Sequence, residues 1–79
     1  MTDEQMIENV LRELRPEFDF RASNDYIGEG MLDSYDVVML VAKLEETCKI
    51  TIPGIDIVPE HFRNLTAITD LVNRYAVNQ

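Results

Sequence analysis

Apolar residues recur at helical spacing in three separate stretches of the chain. Met6, Ile7, Val10, Leu11 and Leu14 form the first stripe. Val37, Leu40, Val41, Leu44 and Cys48 form the second, and Leu65, Ile68, Leu71, Val72 and Tyr75 the third. Each stripe predicts an amphipathic helix with one face to bury. End signals bound them. Thr2 and Gln5 have capping-box spacing, and Asp3 and Glu4 fall in the first turn, where acids suit the helix dipole. Pro16 stops the first helix near Leu14 or Arg15. Asp33 is a good N-cap for the second helix, and Gly30 ahead of it allows a sharp turn. That helix ends near Cys48 or Lys49, where a cation meets the negative end of the dipole. Asp36, Met39, Lys43 and Glu46 fall on its other faces, off the buried stripe. Asn64 caps the third helix.

The connections differ in kind. Residues 16–33 lack a clean period and contain turn chemistry at Asn24-Asp25 and Gly28-Glu29-Gly30. Their Phe, Tyr, Ile, Met and Leu side chains should hold this long loop onto the helices. A short helical turn at Asp19-Phe20-Arg21-Ala22 is compatible with the sequence. Residues 50–58 alternate like a strand, but no second strand exists to pair with them and Pro53-Gly54 interrupts the run. An extended linker anchored in the core is the better expectation. Pro59 then opens a short turn, Pro59-Glu60-His61-Phe62, with Phe62 filling the core. With no partner strands, the stripes can bury one another in an all-α, antiparallel bundle of three main helices plus one short one, a single domain over residues 1–79.

Charge changes the functional picture more than the fold. Seven basic and 15 acidic residues give the 79-residue chain a formal charge of −8. Binding to a phosphate backbone needs a basic patch, so nucleic acid is excluded as a partner, and anionic membranes should repel the chain. Partners presenting Lys and Arg are favoured. A hydrophobic share of 46% is too high for an acidic disordered tail. A domain this size buries only about 60% of its unfolded surface, which leaves little room for a deep catalytic cleft. With one Cys (Cys48) and one His (His61), no disulfide, zinc cluster or acid–base–nucleophile set emerges. Cys48 reads as a buried structural thiol and His61 as a surface or half-buried structural residue. The opening MTDEQMIEN carries acids where a signal peptide carries basic and apolar residues, and no apolar run approaches a membrane span. A cytoplasmic monomer is the expectation.

One residue carries candidate chemistry. Ser34 follows the Asp33 cap and so opens the second helix, where free backbone N–H groups and the dipole favour an attached phosphate. No nearby His or Lys can activate its hydroxyl, so it is a poor nucleophile on its own. It suits a phosphoryl group delivered by a separate enzyme. An Asp-Ser pair by itself is ordinarily only a helix cap.

The surroundings change that weighting. Gly30-Met31-Leu32-Asp33-Ser34-Tyr35-Asp36, running into Val37 to Glu46, resembles the acyl carrier protein family. The resemblance continues through Ile50-Thr51-Ile52-Pro53 and Pro59-Glu60-His61-Phe62-Arg63-Asn64-Leu65 to the final helix, and covers essentially the whole chain. It implies a four-helix bundle of acyl-carrier type. It implies that Ser34 receives 4′-phosphopantetheine from coenzyme A through a phosphopantetheinyl transferase. The prosthetic thiol then holds an acyl or aminoacyl group as a thioester, and the carrier itself catalyses nothing. The partners so implied are a loading ligase and downstream synthase or transferase enzymes. Asp33 would assist recognition by the transferase, and Asp36, Glu45 and Glu46 would present the second helix to basic enzyme patches. Tyr35 stands where the fatty-acid-synthesis pattern has Leu, Met39 where it has a docking acid, and Lys43 adds a positive charge. Tyr35, Met39 and Lys43 are therefore candidate determinants of partner choice. The Gly-x-Leu-Asp-Ser and Pro-Glu-His-Phe segments look more like stand-alone carriers of specialised pathways, D-alanyl and peptidyl-type carriers among them. A cargo shelter lined by residues such as Val38, Val41, Leu44 and Ile57 is a further possibility of this layout. The alternative to a carrier is a small acidic module that binds a basic protein without any prosthetic group.

Overall fold

A computed structural model describes residues 4–76. Among them are three α-helices, α1 (Glu4–Leu14), α2 (Ser34–Cys48) and α3 (Leu65–Ala76), two short 3₁₀ turns (Gly54–Asp56 and Pro59–Phe62), and no strand. The expected capping residues Thr2 and Asp3 lie outside the described residues. The helices bury the stripes that their spacing predicts. Ile7, Val10 and Leu11 of α1, Val37, Leu40, Val41 and Leu44 of α2, and Leu65, Ile68, Leu71 and Val72 of α3 meet in one core. Helix α1 packs on both α2 and α3, and α3 also packs on the Pro59–Phe62 turn. Phe62 is completely buried, so that turn inserts its aromatic ring into the core. The molecule is thus a small helical bundle with a short fourth element.

Local chemistry sets the ends of each helix. Asn64 Oδ1 accepts the Ala67 amide at 2.8 Å and so caps α3. Helix α2 closes at Lys49, which adopts a left-handed conformation with φ 59°. The Lys49 and Ile50 amides both donate to the Glu45 carbonyl, which is how a left-handed residue ends a helix. Cys48, expected to be buried, is half-buried, with its Sγ 3.7 Å from Met6 Sδ.

Tyr26 is the most connected residue of the long segment before α2. Tyr26 is fully buried. Its amide donates to the Arg63 carbonyl at 2.7 Å, and its own carbonyl accepts the Met31 and Leu32 amides. Its hydroxyl donates to the Phe20 carbonyl, and its ring meets Phe20 edge-on at 5.0 Å. Phe20, Met31 and Leu32 are buried with it, so the loop is held by core packing. Residues 19–22 form only a hydrogen-bonded turn. Gly30 has φ +78°, a conformation that glycine adopts freely and that turns the chain towards α2. At Gly28 a Cβ would lie 2.1 Å from the carboxylate of Asp25, whose Oδ1 accepts the Gly28 amide, so a side chain there would displace that carboxylate.

One expectation is corrected. The segment after α2 is not extended throughout: Ile50 and Ile52 anchor it in the core, and Gly54–Asp56 then coils into a 3₁₀ turn. On α1, one acidic residue is interior. Glu8 is buried, with Arg21 Nε at 2.7 Å and Arg12 Nε at 3.7 Å. Burial of the carboxylate is compensated by the paired guanidinium groups.

Candidate functional site

Ser34 is the first residue of α2 and is exposed to solvent. What fixes its backbone is the pair of residues around it. Asp33 is the N-cap, in an extended conformation (φ −103°, ψ −176°). Its Oδ1 accepts the Asp36 amide at 2.9 Å, and Asp36 Oδ2 accepts the Asp33 amide at 3.2 Å. This reciprocal capping box spans Ser34 and holds the turn at both ends.

A third residue completes the arrangement from another part of the chain. Arg15, just past the end of α1, donates from Nε to both Asp36 carboxylate oxygens (3.1 and 3.2 Å) and from Nη2 to Oδ2 (2.8 Å). Its Nη1 lies 3.2 Å from Glu17. The Asp36 residue is only 4% exposed. The hydrogen bonds from Arg15 hold its carboxyl below the ordinary carboxylate range, against the opposing effect of burial, with a further contribution from the Asp33 amide. Asp36 is thus ionised, enclosed and fully engaged. The expectation that it lies on a free face of α2 and presents charge to a partner is overturned: its place is interior, and its carboxylate belongs to Arg15 and Asp33.

Beside Ser34 lies a cleft of about 260 Å³. Asp33 and Ser34 line it together with Ile27, Val37, Val38, Ile57, Val58 and Pro59. The walls are almost entirely aliphatic, and Asp33 is the one ionisable group among the lining residues. Its Oδ1 is already committed to the helix cap. The site therefore combines an exposed hydroxyl, the amides of a helix start and an apolar wall, with no His or Lys among the described lining residues. Such a site can bear a group that another enzyme attaches, and it lacks the parts for self-activated nucleophilic chemistry. Of the residues expected to shelter a cargo, Val38 and Ile57 line this cleft. Val41 and Leu44 are instead packed in the core.

No protein-family profile, curated protein or solved structure matches this chain. The functional reading therefore rests on the site and on the surface around it.

That surface is more apolar than the sequence suggests. Tyr35 is 72% exposed, Val38 62% and Met39 38%. The three lie at the spacing of one helix face next to Ser34. Lys43 is exposed further along, 3.7 Å from Glu13. Glu46 is exposed, whereas Glu45 is half-buried and its Oε2 accepts the Ile52 amide at 2.9 Å. Glu45 thus ties the segment after α2 to the helix. The sequence signal that finds Val38 is its register, one position off the buried Val37–Leu40–Val41 stripe.

The remaining rare residues have structural partners. His61 Nδ1 lies 2.7 Å from the Asp56 carbonyl oxygen, which makes that nitrogen the donor. Asp56 also accepts a hydrogen bond from the Tyr75 hydroxyl, joining the 3₁₀ turn to α3. Among the described residues, no group of three or more His, Cys, Asp and Glu side chains is placed to hold a metal ion, and no helix is long and apolar enough to cross a membrane.

Proposed function

We propose that the protein is a carrier of acyl-carrier type, bearing 4′-phosphopantetheine on Ser34 and handing a thioester-bound acyl or aminoacyl group between partner enzymes. The observation that carries this reading is the exposed Ser34 hydroxyl at the start of α2, bracketed by a closed capping box and set beside an apolar cleft. The residues fit the group. The phosphate would meet the free amides of the helix start, and the cleft offers aliphatic wall to the arm. When bound, the group supplies a thiol on a long tether, which raises the effective concentration of its cargo at successive active sites. The chain's own contribution is to present Ser34 in a fixed backbone and to offer partners the face of α2. A phosphopantetheinyl transferase, a loading ligase and downstream synthase or transferase enzymes are the partners this function requires. In this reading it is a stand-alone carrier of a specialised pathway acting as a cytoplasmic monomer, a type supported by the resemblance of its Gly-x-Leu-Asp-Ser and Pro-Glu-His-Phe segments and by the departure of Tyr35, Met39 and Lys43 from the fatty-acid-synthesis pattern.

Incubation with coenzyme A and a broad-specificity phosphopantetheinyl transferase tests the proposal directly. Intact-mass and peptide spectrometry should find one phosphopantetheine, on Ser34, and none on Ser34→Ala. Failure to load, under conditions that load a control carrier, rejects the reading.

The exposed Tyr35, Val38 and Met39 favour a second reading, an acidic helical module that binds a basic partner without a prosthetic group. In that case Ser34→Ala retains the protein's activity in the cell, whereas the carrier reading requires that it be lost.

A further inference from the structure

Arg15 belongs to no motif around Ser34, yet it reaches that site from the far end of α1. Its guanidinium grips both oxygens of Asp36 with three N–H···O contacts of 2.8 to 3.2 Å. The same Asp36 carboxylate accepts the Asp33 amide, and the Asp36 amide donates back to Asp33. The chain of contacts therefore runs from Arg15 through Asp36 to Asp33 and spans the residue that carries the reactive hydroxyl. Asp36 is nearly inaccessible to water, so without Arg15 its carboxylate has no cationic partner at this position. Holding Asp33 then competes with seeking solvent.

We propose that Arg15 is a positioning residue for the modification of Ser34: by clamping Asp36 it holds the Asp33–Ser34 backbone in the geometry that a phosphopantetheinyl transferase acts upon. The inference rests on the carrier reading and adds a residue to it. Arg15 does not touch the reacting hydroxyl. Its effect is exerted through Asp36, on the orientation of Ser34 and not on the surface a partner docks against. It therefore belongs in kcat, because the docking residues Tyr35 and Met39 are not altered by removing it.

Steady-state loading kinetics with the apo-protein as varied substrate test this, using coenzyme A and a broad-specificity transferase. Arg15→Ala should lower kcat about tenfold or more while KM stays within about twofold. Arg15→Lys should fall between the two, since an ammonium keeps the charge but not the two-pronged grip. Arg21→Ala opens the Glu8 pair elsewhere on α1 and serves as the control for general loosening. Its kcat, corrected for folded fraction by circular dichroism, should match wild type. The inference is overturned if Arg15→Ala loads with unchanged kcat, if its loss lies in KM alone, or if Arg21→Ala slows equally. Should Arg15→Ala fail to fold, Arg15→Lys carries the test, and a wild-type kcat in that variant overturns the inference. Wild type that does not load beside a loading control carrier overturns the carrier reading itself, and the role of Arg15 with it.

Discussion

Asp33 and Asp36 cap each other across Ser34: each backbone amide donates to the other's carboxylate, at 3.2 and 2.9 Å. The helix start is thus held by two acids on either side of an exposed serine that takes no part in the capping. The two roles should separate by mutation. Asp33→Ala removes the N-cap acceptor and should cost about 1 kcal/mol of stability. Ser34→Ala leaves the box intact and should change stability by no more than about 0.5 kcal/mol. Urea unfolding followed by circular dichroism measures both. A Ser34→Ala loss as large as that of Asp33→Ala would show that the serine is itself part of the cap.

Asp36 should also give the protein a characteristic acid response. Its pKa is lowered by Arg15, so the folded value lies below the ordinary value of 3.8. A depressed carboxylate contributes stability that is fully present above its unfolded pKa and is lost as pH falls through the folded one. Asp36→Asn removes that contribution. The urea midpoints of wild type and Asp36→Asn should therefore be far apart at pH 7 and converge as pH is lowered below the ordinary carboxylate range. A gap independent of pH would mean that the charge on Asp36 contributes nothing.

The helices were legible because their period is local. Spacing within Met6–Leu14, Val37–Cys48 and Leu65–Tyr75 is enough to name the buried faces, and Asp33 and Asn64 announce the caps in their own neighbourhoods. What escaped was fixed by residues distant in sequence. Asp36 reads as a surface acid until Arg15, 21 positions away, is brought to it. Glu8 likewise owes its interior place to Arg21, 13 positions away. A charged residue can be interior only when paired, and the pairing is a tertiary fact. The candidate site divides in the same way. Ser34 and its cap could be read from the motif, whereas the cleft joins Ile27, α2 and the segment from Ile57 to Pro59, three parts of the chain that only the fold assembles.

Tyr26 should report on the integrity of the loop that leads to α2. Its hydroxyl is buried against the Phe20 carbonyl, and burial raises its pKa to about 12. Tyr26→Phe leaves that carbonyl without its partner and should destabilise by about 1 kcal/mol, up to about 3 if the carbonyl gains no water. A raised pKa contributes stability that is intact below the unfolded value near 10 and is lost as pH rises through about 12. Alkaline titration of wild type should therefore show a steeper loss of stability in that window than Tyr26→Phe. Equal alkaline slopes would place the phenol in solvent.

Thr69 offers a change in the opposite direction. It sits on α3 with 9% exposure, and its buried Oγ1 has no hydrogen-bond partner among the described residues. Burying an unpaired hydroxyl carries a desolvation cost that nothing at this position offsets. Val has nearly the same shape and removes the polar atom, while both residues are β-branched and have similar preferences for helix. Thr69→Val should therefore stabilise the protein by about 1 kcal/mol, and should leave the proposed loading of Ser34 unchanged. The side chain lines none of the cleft beside Ser34, so the two readouts are independent. Thermal and urea unfolding give the first, and mass-spectrometric loading gives the second. A loss of stability in Thr69→Val would mean that the hydroxyl makes a bond in solution, to α3 itself or to an internal water, and that its polarity is used.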